Sequence, residues 1–232
     1  MSVSDKSLTV STNNLLIAEN QEKVFEAGQK SEYNRFWDNF QENGKRDGYA
    51  YAFAYWKDEN FYPKHNITSS PSAERVFYNC KVTNLKQRLE ECGVTLDLRT
   101  YNSSYCFYYC SSTEYPKLDI SRNGNMGSMF YGCEMQKLEL ICGASTSFSS
   151  STLSSCTNLT ELMLEGVLKT NGLNVSSLKL THDSLISIIN TLYDYSTYTG
   201  TTTWKVTLGS TNLANLTDAE KAIATEKGWT LA

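Results

Sequence analysis

The sequence predicts an α/β-type solenoid in which each coil of about 23 residues carries one short strand. The first observation behind this is cysteine spacing. Cys110, Cys133 and Cys156 are separated by 23 and 23 residues, and Cys80 lies 30 before Cys110. The second is a recurring phrase that ends on each of these cysteines. It reads Phe77-Tyr78-Asn79-Cys80, Phe107-Tyr108-Tyr109-Cys110, Phe130-Tyr131-Gly132-Cys133 and Leu153-Ser154-Ser155-Cys156. The third is the alternating segment that follows each phrase. These segments are Thr95-Leu96-Asp97-Leu98, Lys117-Leu118-Asp119-Ile120, Lys137-Leu138-Glu139-Leu140 and Glu161-Leu162-Met163-Leu164. One unit alone buries a leucine pair, a phenylalanine and a cysteine, too little to offset the entropy of ordering its chain, so neighbouring units must share a core.

Cys156-Thr157-Asn158-Leu159-Thr160-Glu161-Leu162-Met163-Leu164 resembles the L-x-x-L-x-L core of leucine-rich repeats, preceded by an aromatic or apolar residue three positions before a cysteine. The pattern is similar to the bacterial BspA-like variety and covers residues 73–210. The match is irregular. Relative to the Cys156 unit, the Cys110 unit is two residues longer before its strand and the Cys133 unit one shorter. The segments beginning at Ser177 and Lys205 lack the Phe and Cys. The layout also resembles leucine-rich repeat proteins encoded in prophages of gut Firmicutes. The residues concerned are the helical stretch Ala18–Gly28, the aromatic Arg35-Phe36-Trp37-Asp38, and the close from Leu216 to Leu231. That resemblance implies a tail-associated or host-recognition role, hence a virion-associated protein if phage-encoded.

Residues 1–13 are polar and read as a flexible tail. Residues 14–43 form the expected N-terminal helix, rich in Glu, Gln and Lys, with Tyr33, Phe36, Trp37 and Phe40 on a short apolar stripe suited to packing or to self-association. Residues 44–72 are expected to cap the first coil, because Tyr49 to Tyr55 alternate aromatics with alanines as an aromatic β cap would. The leucine-rich repeat solenoid takes residues 73–210 and includes helices at Asn84–Cys92, stopped by Gly93, and at Asp183–Tyr193. Further strands are expected at Ser177–Thr181 and Lys205–Gly209. Residues 211–232 make a C-terminal helical cap. Its helix opens on the capping box Thr217-Asp218-Ala219-Glu220, runs to Lys227 and stops at Gly228, and Trp229–Leu231 follow as a strand or plug.

The charge balance, 21 Lys plus Arg against 25 Asp plus Glu in 232 residues, gives −4 and argues against nucleic acid as a partner. Seven cysteines with no C-x-x-C pair, and only two histidines, His65 and His182, leave no zinc set. No metal or other cofactor is expected, and the thiols are expected to be reduced and buried as small hydrophobes. The polar start Met1–Val10 shows no apolar signal region and no run is long enough to cross a membrane, so the expectation is a protein made in the cytoplasm without membrane insertion. No Ser-His-Asp arrangement or phosphate loop can be argued, so the chain is expected not to be an enzyme.

Two places are candidates for ligand binding. With the leucines inward, the outward row reads Asp97, Asp119, Glu139, Met163, Lys179, Thr207, flanked by Thr95, Lys117, Lys137, Glu161, Ser177, Lys205. Three stacked carboxylates would repel, so they either pair with Lys117 and Lys137, form a docking stripe, or hold an adventitious cation. The second candidate is the segment Tyr101-Asn102-Ser103-Ser104-Tyr105-Cys106-Phe107-Tyr108-Tyr109, whose tyrosines, Tyr101, Tyr105 and Tyr109 foremost, are left at or near the surface when Phe107 and Cys110 point in. Tyrosine with serine and asparagine makes adaptable recognition surfaces. The expected function is non-enzymatic recognition of a host-surface glycan or protein by a phage or prophage tail. The alternatives are an intracellular inhibitor or adaptor, for example against host defence, and a carbohydrate-active enzyme.

Overall fold

In the computed structural model, residue 53, residues 66–68 and residues 72–232 are described, and all belong to the unit Asp47–Ala232. The expected tail, N-terminal helix with its self-association stripe, and most of the aromatic cap lie outside the described residues.

The architecture is built on a repeated six-residue turn, found at residues 74–79, 104–109, 127–132 and 150–155. Successive turns are joined by parallel backbone hydrogen bonds from alternate residues. Arg75, Phe77 and Asn79 donate to Ser104, Cys106 and Tyr108 at 3.1, 2.7 and 2.6 Å. Tyr105, Phe107 and Tyr109 donate to Gly127, Met129 and Tyr131 at 2.9, 2.8 and 2.8 Å. Phe130 and Gly132 then donate to Thr152 and Ser154, both at 2.9 Å. This register lays like on like. Phe53, Phe77, Phe107 and Phe130 stack with centroids 5.2, 5.2 and 5.3 Å apart and planes within 12°. Each ring is buried, so the column supplies both apolar burial and ring–ring contact.

Cys80, Cys110, Cys133 and Cys156 form a second buried column beside the rings. All seven cysteines are free, and only Cys92 is partly exposed. The thiols of Cys133 and Cys156 donate to the carbonyls of Phe107 and Phe130, each at 2.9 Å. Burial pushes the Cys142 and Cys156 thiols up to about 12 and about 11, so they stay protonated and inert at neutral pH. Cys133→Ser places a more polar group in this column, and a loss of about 1–3 kcal/mol is expected in urea unfolding. An unchanged midpoint would show that the column is not part of the core.

The elements in chain order are β1 (Ile67–Thr68), α1 (Leu85–Glu91), β2 (Leu96–Asp97), β3 (Leu118–Asp119), β4 (Lys137–Cys142) and β5 (Glu161–Gly166). They continue with α2 (His182–Thr191), β6 (Trp204–Val206), α3 (Ser210–Ala214), α4 (Asp218–Glu226) and β7 (Trp229–Leu231). The expectation of a leucine-rich repeat solenoid with one strand per coil is not met. The strands form three separate parallel sheets, β1-β2, β3-β4-β5 and β6-β7, with few helices among the described residues.

The interruptions have identifiable causes. β2 and β3 are each two residues long because the closing aspartate turns the chain. The Asp97 carboxylate accepts from the Arg99 amide at 2.9 Å, and that of Asp119 from the Ser121 amide at 3.0 Å. In β4 the partner of Asp119 is Ile141, which has no such option, and the strand runs on to Cys142. The β3-β4-β5 sheet ends at β5 because α2 covers its edge with hydroxyls. Ser184 and Ser187 accept from the Leu162 and Leu164 amides at 2.9 and 3.2 Å. Ser187 and Thr191 donate back to the carbonyls of the same two leucines, both at 3.2 Å. A strand edge satisfied by side chains offers nothing for another strand to pair with. The strand expected at Ser177–Thr181 does not form, and the Leu180 amide donates instead to the Asn212 side chain at 3.1 Å.

At the C-terminal end, Thr217 and Glu220 form a reciprocal capping box on α4. Lys227 closes α2, its ammonium donating to the carbonyls of Ile189 and Asn190 at 3.0 and 3.1 Å. β7 is more than a plug: it pairs with β6 in parallel, from Trp204↔Trp229 to Val206↔Leu231. Among the described residues no helix is long and apolar enough to cross a membrane.

Candidate recognition ridge

In each turn the residue after the column phenylalanine points to the other side, outward. Tyr78, Tyr108 and Tyr131 therefore stack as an outer file, with centroids 5.1 and 5.2 Å apart. Two more tyrosines widen it. Tyr109 sets its edge against Tyr108 at 4.7 Å and Tyr131 at 5.5 Å, near perpendicular to both. Tyr105 meets Tyr108 at 5.4 Å, and the Arg75 guanidinium lies 4.9 Å from the Tyr105 ring centre. The result is a ridge of five phenols, of which Tyr109 is 46% exposed. Desolvation beside the neighbouring phenols pushes the Tyr108 hydroxyl above its ordinary range. The file stops where Ser154 takes the place of tyrosine in the next turn, as the matching bonds Tyr109→Tyr131 and Gly132→Ser154 show.

Of the tyrosines in the segment expected from the sequence, Tyr105, Tyr108 and Tyr109 join the ridge. Tyr101, 70% exposed, is not part of the file and lies over Gly124, where a Cβ would strike its ring at 2.1 Å. Tyr78 and Tyr131 are not among the expected site residues, although their signal, a tyrosine directly after the column phenylalanine, is plain in the phrases. A second aromatic group was also not anticipated. Tyr195 stacks on Trp204 at 4.0 Å, flanked by Tyr193, Tyr198 and Trp229.

The expected carboxylate row does not form. Asp119 is in register with Ile141, while Glu139 is in register with Met163, so the two acids are displaced by one side-chain step. Several of these charges are paired instead. Asp97 takes a two-pronged contact from Arg99 at 2.9 and 2.6 Å, which holds its carboxyl below the usual range. Lys137 pairs with Glu139 at 3.0 Å, and Lys117 reaches Glu165 at 2.6 Å. Lys179 is exposed and stands apart from these pairs. Exposed pairs of this kind contribute little to stability. Among the described residues no group of three or more His, Cys, Asp or Glu could hold a metal ion.

Three carboxyls give the protein an acid-side pH dependence. Asp97 is lowered from 3.8 by Arg99, Asp194 from 3.8 by Ser196, and Glu220 from 4.5 first by the Thr217 amide. Lowered folded values mean that the native state holds fewer protons than the unfolded chain. Their contribution is therefore complete above 4.5 and is lost as pH falls through the folded values. Melting temperature is expected to be flat from pH 7 to 5 and to drop below 4, with a shallower drop in Asp97→Asn and Glu220→Gln.

No protein-family model, curated protein or solved structure matches this chain.

Proposed function

We propose that the protein is a non-enzymatic binding protein that recognises a surface glycan or protein through the tyrosine ridge. The backbone under the ridge carries this reading. Tyr105 and Tyr109 sit at φ 57° and 50°, in the left-handed region. The matching positions in the adjacent turns hold Arg75 and Asn79 on one side and Ser128 and Gly132 on the other. A bulky L-residue there costs roughly 1–2 kcal/mol, which glycine avoids and asparagine lessens. Tyr109 is also nearly half exposed, so burial returns little of that cost. A large aromatic held against its backbone preference at the surface is best explained by what it touches outside the molecule. Tyrosine suits the task, since it offers a large contact area and a hydroxyl at low entropic cost.

The resemblance of the chain's opening and close to prophage-encoded proteins supports a tail-associated setting. The test compares wild type with Tyr105→Asn/Tyr109→Gly on a printed glycan array and on intact Firmicute cells. Wild type is expected to bind, and the double variant at least tenfold less, with its melting temperature within a few degrees of wild type. Undiminished binding by the double variant would overturn the reading. Capture of one cytosolic protein, with no glycan or cell bound, would favour an intracellular adaptor instead.

A further inference from the structure

A cleft of about 530 Å³ lies beside α1, which lends it Lys86. It exists because a helix is wider than an extended chain. α1 overhangs the extended segment of the next unit, to which it is tied by Thr113 donating to the Thr83 carbonyl at 3.0 Å and Lys86 to that of Glu114 at 3.3 Å. The far wall is the start of β4, fixed by the Gln136 carbonyl accepting from the Thr160 and Glu161 amides at 3.0 Å. The walls are thus preformed by backbone bonds, and the volume falls within the roughly 300–1,000 Å³ of small-molecule sites.

We infer that this cleft is a binding site for a short neutral oligosaccharide. Its lining has two cations, Lys86 and Lys137, and two anions, Glu114 and Glu139, so the net charge is zero. The Lys137–Glu139 pair, 3.0 Å apart, already neutralises itself and keeps further donor and acceptor positions free. The Gln136 amide adds both kinds of group. A wall that alternates donors and acceptors without net charge matches a ligand of many hydroxyls, each of which both gives and takes a hydrogen bond. An anionic ligand would meet the two carboxylates, and an apolar one would leave the charged groups unsatisfied. Tyr115 closes the floor of the cleft, its buried ring set edge-on against Phe107 at 5.1 Å, so the polar groups of the rim are left to make the contacts. Ridge and cleft share no residue, so either can fail alone.

The experiment is an amide NMR titration of the full chain with N,N′-diacetylchitobiose, lactose and maltose, with glucose 1-phosphate as the anionic comparison. At least one neutral disaccharide is expected to give saturable shifts at Lys86, Glu114 and Gln136. Lys86→Met and Gln136→Ala, both surface changes with well-dispersed spectra expected, should each weaken that binding about tenfold. Glu226→Gln, an exposed change at the end of α4, should leave it unchanged. The inference is overturned if none of the three disaccharides gives saturable shifts at those amides, if glucose 1-phosphate binds as tightly, or if the shifts fall only on the ridge turns.

Discussion

Phe107→Ala is expected to lower the unfolding free energy by about 3–5 kcal/mol, a large part of the roughly 5–15 kcal/mol that holds a domain together. Phe107 is fully buried, stacked on Phe77 at 5.2 Å and Phe130 at 5.3 Å, and met edge-on by Tyr115 at 5.1 Å. Truncation removes three aromatic contacts and leaves a cavity that the turns cannot close, because their backbones are spaced by the hydrogen bonds from Phe77 to Cys106 and from Phe107 to Met129. The same bonds keep the turn in place, so the loss should come from packing and not from a changed backbone. Urea unfolding followed by tyrosine fluorescence measures it. A loss below about 1.5 kcal/mol would mean that the column is not the central support of the fold.

The second large effect concerns Asn212, fully buried at the start of the C-terminal region. Its amide nitrogen is shared among the carbonyls of Val175, Leu178 and Leu208 at 3.1, 3.1 and 2.9 Å. Its oxygen accepts from the Leu180 amide at 3.1 Å. One side chain thus satisfies backbone groups of a loop that forms no strand. Asn212→Leu keeps the volume and strands the Leu180 amide and at least two carbonyls, for an expected loss of about 3 kcal/mol. Asn212→Asp should be worse at neutral pH, since a carboxylate would face three carbonyl oxygens. It should recover in part on mild acidification, as the carboxyl becomes neutral and regains a donor. Thermal unfolding of both variants at pH 7 and pH 5 separates the two effects. If Asn212→Leu melts with wild type, the amide is not holding the loop.

What could be read from the residues divides along physical lines. The cysteine spacing and the Phe-x-x-Cys phrases correctly mark the buried columns, because a side chain that must stack on its copy recurs at the stacking interval. Strand continuity was not readable from alternation. Leu96-Asp97-Leu98 and Leu138-Glu139-Leu140 look alike as patterns, yet the aspartate closes a turn on its own backbone and the glutamate does not. Register escaped for a related reason. A slip of one residue would expose the leucines, but a slip of two keeps every leucine inside, and Leu118 pairs with Leu140 instead of Leu138. That slip of two separates Asp119 from Glu139. The hydroxyls that end the β3-β4-β5 sheet belong to a helix whose serines look like ordinary polar positions until they meet β5. Tyr78 and Tyr131 repeat the position of Tyr108 after the column phenylalanine, and the stacking of turns distant in sequence brings the three side by side.

If Tyr109 is kept on its strained turn for recognition and not for stability, urea unfolding of Tyr109→Gly will register it without any ligand. Relief of the left-handed strain, about 1–2 kcal/mol, opposes loss of two half-exposed edge contacts worth about 0.5–1.5 kcal/mol each at most and the added freedom of an unfolded glycine. The opposing effects should leave a net loss of no more than about 2 kcal/mol. A loss of more than about 3 kcal/mol would make Tyr109 a structural residue whose backbone strain says nothing about binding.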